Sequence, residues 1–153
     1  MSEFSPLLTV FLENEAAADA LAERWAAHLR APLTVWLEGD LGAGKTTLVR
    51  ALLRRLGHSG AVKSPTYAIV ESYRLNGTDI HHFDLYRFAS PEEWEDAGLD
   101  DLFGHSLCFI EWPQNGGNFT PLPDIRIRLS RQQDGRLCQL EALTDHGRQS
   151  LAI

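Results

Sequence analysis

Gly39-Asp40-Leu41-Gly42-Ala43-Gly44-Lys45-Thr46 fits the pattern G-x-x-x-x-G-K-[ST]. Average residue usage would produce that pattern in about one chain of this length in a few hundred. The residue types have physical reasons to stand where they do. Gly39, Gly42 and Gly44 admit backbone angles closed to residues with a Cβ. Loop amides then converge on phosphate oxygens, and the mouth of a following helix adds partial positive charge. Lys45 reaches β- and γ-phosphates as a point charge, and the Thr46 hydroxyl ligates Mg²⁺. Thr47 is placed for a hydrogen bond on the α-phosphate side. The competing reading is a glycine-rich turn that only joins strand to helix, and such a turn needs no Lys-Thr at that spacing.

A phosphate loop of this kind works with an acid at the end of a neighbouring strand, which holds Mg²⁺ or positions the attacking water. Two segments offer one. Asp84 ends Ile80-His81-His82-Phe83, and Glu111 ends Leu107-Cys108-Phe109-Ile110. Either acid alone reads as a solvated strand end; beside a phosphate loop at least one gains a role. Glu111 is preferred, because its strand is the more apolar and therefore the more central. His81 and His82 alternate across their strand, so only one can face the site; His82 is the minor candidate. Trp112 fits either a place near the nucleotide or ordinary half-burial.

The elements that must carry these residues are legible in outline. Leu7 to Leu12 reads as a strand, and Asn14 caps a helix from Glu15 to about His28 that Pro32 closes off. Leu33-Thr34-Val35-Trp36-Leu37 is a buried strand ahead of the glycine loop. Lys45 to Leu56 follows as a helix with Leu48, Val49, Leu52, Leu53 and Leu56 on one face, ended by Gly57. Tyr67 to Tyr73 and Ile80 to Asp84 form a hairpin around Asn76-Gly77. Pro91-Glu92-Glu93-Trp94 opens a short helix. Ile125 to Leu129 and Leu137 to Leu143, joined at Asp134-Gly135, alternate like an antiparallel edge with one wet face. The sum is a single-domain α/β fold, P-loop NTPase-like, with a mixed sheet flanked by helices.

Composition narrows the partners. A chain of 153 residues, 44% hydrophobic and 23% charged, suits one core. No apolar run is long enough to span a bilayer, so no membrane partner is expected. Met1-Ser2-Glu3-Phe4-Ser5-Pro6 lacks the basic and apolar regions of a secretion signal, which points to the cytoplasm. The net charge of −7, with Arg54-Arg55 the only adjacent basic pair, argues against a free-standing nucleic-acid binder. Cys108 and Cys138 read as buried, reduced thiols, and no Cys/His spacing suggests zinc.

Gly39 to Thr47, Ser64-Pro65-Thr66-Tyr67, His82-Phe83-Asp84-Leu85-Tyr86-Arg87 and Ile110-Glu111-Trp112 occur in this order. In these motifs the chain resembles the TsaE family (also called YjeE), bacterial ATPases of tRNA threonylcarbamoyladenosine biosynthesis, over about its whole length. The resemblance implies a protein that binds ATP and Mg²⁺ and docks on the TsaD–TsaB pair. It hydrolyses ATP weakly alone, and reaches tRNA only through that complex. Its hydrolysis supports repeated N6-threonylcarbamoylation of adenosine 37 without itself transferring the group. By position, the resemblance makes Lys45 and Thr46 the phosphate and metal residues and Asp84 and Glu111 the functional acids. It puts Thr66 in a switch-like loop that senses the γ-phosphate, and Trp112 beside the nucleotide.

Two rivals share the glycine loop. A small-molecule kinase needs an acceptor pocket and an arginine-bearing lid; Arg74 and Arg87 are candidates, yet no arginine-rich segment is present. A nucleotide-sensing interaction module would bind without turnover. The absence of an Asn-Lys-x-Asp stretch favours adenine over guanine.

Overall fold

The computed structural model describes residues 7–153, so the reading of the first six as free of a secretion signal lies outside the described residues. Among the described residues seven strands form one sheet: β1 (Leu7–Leu12), β2 (Leu33–Glu38), β3 (Val70–Leu75), β4 (Thr78–Asp84), β5 (Leu107–Glu111), β6 (Ile125–Gln132) and β7 (Gly135–Ala142). Their spatial order is β1-β7-β6-β2-β5-β4-β3. The inner strands β6, β2, β5 and β4 run parallel, and the flanking pairings are antiparallel. This is the mixed α/β sheet expected from the sequence.

Alternation along the strands divides two cores. Leu33, Val35 and Leu37 of β2 and Leu107 and Phe109 of β5 face the helices α1 (Glu15–Ala26) and α2 (Lys45–Arg55). Asn14 caps α1 by accepting a hydrogen bond from the Ala17 N–H at 3.0 Å. Leu21, Ala22 and Trp25 then line the buried stripe. Leu48, Val49, Leu52 and Leu53 do the same for α2, which ends one residue short of Leu56, before Gly57 at φ +120°. The opposite sheet face buries Phe83, Cys108 and Ile110 against Trp94 of the short helix α3 (Glu93–Asp96) and against Leu99. There Phe83 stacks on Trp94 and Phe103 with ring centroids 6.0 and 5.1 Å apart.

Two expectations are corrected and one element is added. The β6–β7 hairpin is not the edge of the sheet: β1 pairs with β7 and takes that place, while β6 joins β2. Alternation reveals which face is wet but not which strand lies next door. The third strand begins at Val70 rather than Tyr67, because Ile69 turns into the left-handed region at φ +72° and its N–H bonds Pro65 O at 2.7 Å. A final helix, α4 (Asp145–Ser150), was not anticipated; Thr144 caps it by accepting from Gly147 N–H at 3.0 Å. The Asn76-Gly77 turn has φ +51° and +81°, as a two-residue hairpin loop requires.

Candidate functional site

Parallel pairing brings the two strand-end acids into register. Asp84 stands opposite Glu111, and Leu37 of β2 stands opposite Glu111 on its other side. The period of two places His82, Asp84 and Glu111 on the face that also carries Ile80 and Phe109, toward α2. The glycine loop leaves β2 at the same end of the sheet. Gly39 is required there on steric grounds: a Cβ would lie 2.4 Å from Leu129 O.

Among the loop amides, Ala43 N–H bonds Asp40 O at 3.0 Å, and among the described residues no acceptor serves Gly42, Gly44 or Lys45 N–H. These donors stand at the N-terminus of α2, the arrangement that receives an anion. Lys45, only 5% exposed, donates to the Gly39 carbonyl and to Asp40 O at 3.3 Å. Its ammonium lies 4.0 Å from the centroid of the Trp112 ring. Burial pushes the Lys45 pKa down from its ordinary value, against the opposing pull of Glu111, Asp84 and Asp40.

Glu111 is 2% exposed and takes three hydrogen bonds. The Thr46 hydroxyl donates to Oε1 and Oε2 at 3.0 and 2.9 Å, and His82 Nε2–H donates to Oε2 at 2.6 Å. Among the described residues the buried His82 Nδ1 has no partner. His81 faces the other way and bonds Ser72 Oγ at 2.7 Å. Asp84 accepts from the Thr66 hydroxyl at 3.0 Å and from Tyr86 N–H at 2.9 Å. Burial raises the Asp84 pKa, the Tyr86 N–H lowers it, and the Glu111 charge raises it further.

Trp112 adopts left-handed backbone angles, φ 57° and ψ 48°, a conformation that costs a residue with a Cβ roughly 1–2 kcal/mol. That turn lays its indole over Lys45 and against Tyr86, ring centroids 5.0 Å apart.

The residues singled out in the sequence meet around one cleft of about 240 Å³, lined by Gly42 to Thr47, Thr66, Asp84, Glu111 and Trp112. Leu41 also lines this cleft, whereas Asp40 is exposed and stands outside its lining. A second cleft of about 220 Å³ lies beyond Gly44 and Thr47, walled by Leu12, Ala18 and Leu129 with Asn14 at its rim. Tyr86 was quoted in the sequence only as part of a motif and given no role, and Arg136, which lines both clefts, went unread. Arg136 belongs to a strand whose alternation says only which way it points.

Among the described residues no three His, Cys, Asp or Glu side chains cluster as a metal cage. One hydroxyl and two carboxylates, all hard oxygen donors, suit Mg²⁺ held mainly by phosphates and water. Among the described residues no helix is long and apolar enough to cross a membrane.

Residues 12–138 match the family model described as threonylcarbamoyl adenosine biosynthesis protein TsaE. The tRNA threonylcarbamoyladenosine biosynthesis protein TsaE of Haemophilus influenzae is 42% identical over 147 residues, covering 92% of this chain and 93% of its own. The protein of the same name from Rickettsia bellii is 34% identical over 131 residues, covering 84% and 91%. Among solved structures, the crystal structure of YdiB from Bacillus subtilis superposes with a TM-score of 0.76 at 27% identity, covering 97% of this chain and 94% of that one. With its glycine loop, its paired acids and this match along most of its length, the chain belongs to the TsaE family.

Proposed function

We propose that this chain is a cytoplasmic P-loop ATPase that uses ATP and Mg²⁺, docks on the TsaD–TsaB pair and supports repeated N6-threonylcarbamoylation of tRNA adenosine 37. One observation carries the ATPase reading. The hydroxyl of the phosphate loop, Thr46, is bonded directly to the carboxylate of Glu111 at the end of the adjoining parallel strand. That is the pairing a Mg²⁺-nucleotide site requires. The pathway is supported by the family and by the printed names of its relatives.

The side chains divide the work. The free loop amides and Lys45 grip the β- and γ-phosphates, Lys45 exchanging the carbonyls of Gly39 and Asp40 for phosphate oxygens. Thr46, Glu111 and Asp84 would hold Mg²⁺, which supplies charge neutralisation on the transferred phosphoryl group. Glu111 also orients the attacking water, and His82 holds Glu111 in place from behind. Thr66, bonded to Asp84, senses the γ-phosphate by leaving or keeping that bond. The second cleft beside Thr47, with Leu12, Ala18 and Leu129 in its wall, takes the adenine base.

The sensor reading has an observation of its own: Lys45 and Thr46 both spend their donors on protein acceptors, bonds that must break before either serves a nucleotide in turnover. Phosphate release from ATP, measured with and without TsaD and TsaB and with Lys45→Ala as control, separates the two. Stimulation by the partners supports the ATPase; saturable binding without turnover in either condition leaves the sensor.

A further inference from the structure

The β6–β7 hairpin brings two arginines to the phosphate loop. In the ladder Arg131 and Arg136 are directly opposite partners, a placement in which like charges repel. Both guanidinium groups converge on one glycine. Arg136 Nη2 donates to Gly42 O at 3.0 Å across 94 residues of sequence, and Arg131 Nη2 stands 3.0 Å from where a Gly42 Cβ would be. Among the described residues neither arginine has a carboxylate partner, although the chain holds 21 acids to 14 bases.

The Arg136 donors are only partly used. Nη1 serves Gly135 O at 3.1 Å, Nη2 serves Gly42 O, and Nε is buried with no partner among the described residues. An unmade bond at a buried donor is expensive, and the exposed Arg131 adds a second like charge beside it. One anion between them would relieve both. Arg136 also lines both clefts, and its Cγ lies 3.8 Å from the place of a Gly44 Cβ. It therefore stands where the phosphate chain of a nucleotide passes into the nucleoside.

Resting on the nucleotide-binding reading above, we infer that Arg136, seconded by Arg131, clamps the α-phosphate of the bound nucleotide. The guanidinium fork suits a phosphate. Gly42 O fixes one edge of the group and leaves Nε for the ligand. The hairpin thereby forms a third wall of the site, contributed by the antiparallel half of the sheet.

Equilibrium titration of wild type, Arg136→Ala, Arg136→Lys and Arg131→Ala with Mg²⁺-ADP, and with Mg²⁺-pyrophosphate by displacement, tests this. A thermal melt checks that each variant folds. Arg136→Ala should weaken ADP about tenfold or more, Arg136→Lys less, and Arg131→Ala a few-fold. Pyrophosphate, which has no α-phosphate, should hold its affinity within about twofold. An equal loss for both ligands would make Arg136 a brace for the loop and overturn the inference, as would no loss for either. If wild type fails to bind ADP, the nucleotide reading itself falls; if wild type binds and Arg136→Ala matches it, only the clamp does.

Discussion

Thr46 and Glu111 are joined by a hydrogen bond shared over both carboxylate oxygens, at 2.9 and 3.0 Å, although 65 residues separate them in sequence. The first belongs to the opening turn of α2 and the second to the last position of β5. Parallel pairing of β2 with β5 sets this distance, because the loop that leaves β2 must pass over the end of its neighbour. An acid on any other strand would meet the loop less directly. Asp84, one strand further out, bonds Thr66 instead.

Glu111→Ala should lower the rate of ATP hydrolysis by roughly a hundredfold or more, the range for losing a positioned base or metal acid. Nucleotide binding should stay measurable, because the loop amides and Lys45 are untouched. The check is single-turnover phosphate release beside a binding titration. Wild-type turnover in the variant would remove Glu111 from the chemistry.

His82 should act on turnover rather than on nucleotide affinity. It is fully buried and its Nε2–H meets Glu111 Oε2, so its removal frees a carboxylate that Thr46 alone then holds. His82→Gln keeps an amide donor near the Nε2 position; His82→Leu does not. We expect kcat to fall about tenfold or more in the Leu variant and to recover in large part with Gln, KM changing little in either. Equal behaviour of the two variants would reduce His82 to a packing residue.

Which parts of the site could be read in the sequence follows from how each is built. The glycine loop, Lys45, Thr46 and the acids lie in local patterns: a spaced motif, or an apolar run closed by a charge. Their meeting depends on parallel pairing, which apolar runs and helical crossovers foretell. Arg136 was illegible because its partner, Gly42 O, is a backbone carbonyl and carries no sequence signal. The place of β1 at the sheet edge was hidden for a similar reason: its exposed Leu7 and Phe11 make it read like any half-buried strand. The turn at Ile69 departs from a run of good strand formers because it must carry Thr66 back to Asp84, a tertiary demand on local structure.

Cys108 and Cys138 should resist thiol reagents in the folded protein. Both are free and buried, and burial pushes their thiols up to about 11 and about 12. The native state therefore keeps two protons that the unfolded chain releases near pH 8.5. Stability is fully present below that pH and falls as pH rises through it toward 11. Labelling with an aromatic disulfide at pH 8 should proceed only as fast as unfolding allows and become rapid in denaturant. Rapid stoichiometric labelling of native protein would contradict the burial of both.

Trp112 should report the occupancy of the phosphate cleft. Its indole lies 4.0 Å from the Lys45 ammonium, a cation that perturbs the ring while Lys45 is held by Gly39 O and Asp40 O. A triphosphate draws that ammonium toward its oxygens and changes the surroundings of the indole. The other tryptophans lie elsewhere: Trp25 and Trp94 are fully buried in the two cores, and Trp36 bonds Pro121 O at 2.9 Å. Intrinsic fluorescence should thus shift saturably with Mg²⁺-ATP in wild type, and Trp112→Phe should abolish most of the change. Removing the ring also removes the left-handed strain only if a glycine replaces it, so Trp112→Gly should recover about 1 kcal/mol of backbone strain against its lost packing. An undiminished nucleotide-dependent signal in Trp112→Phe would show that the indole does not sense the lysine.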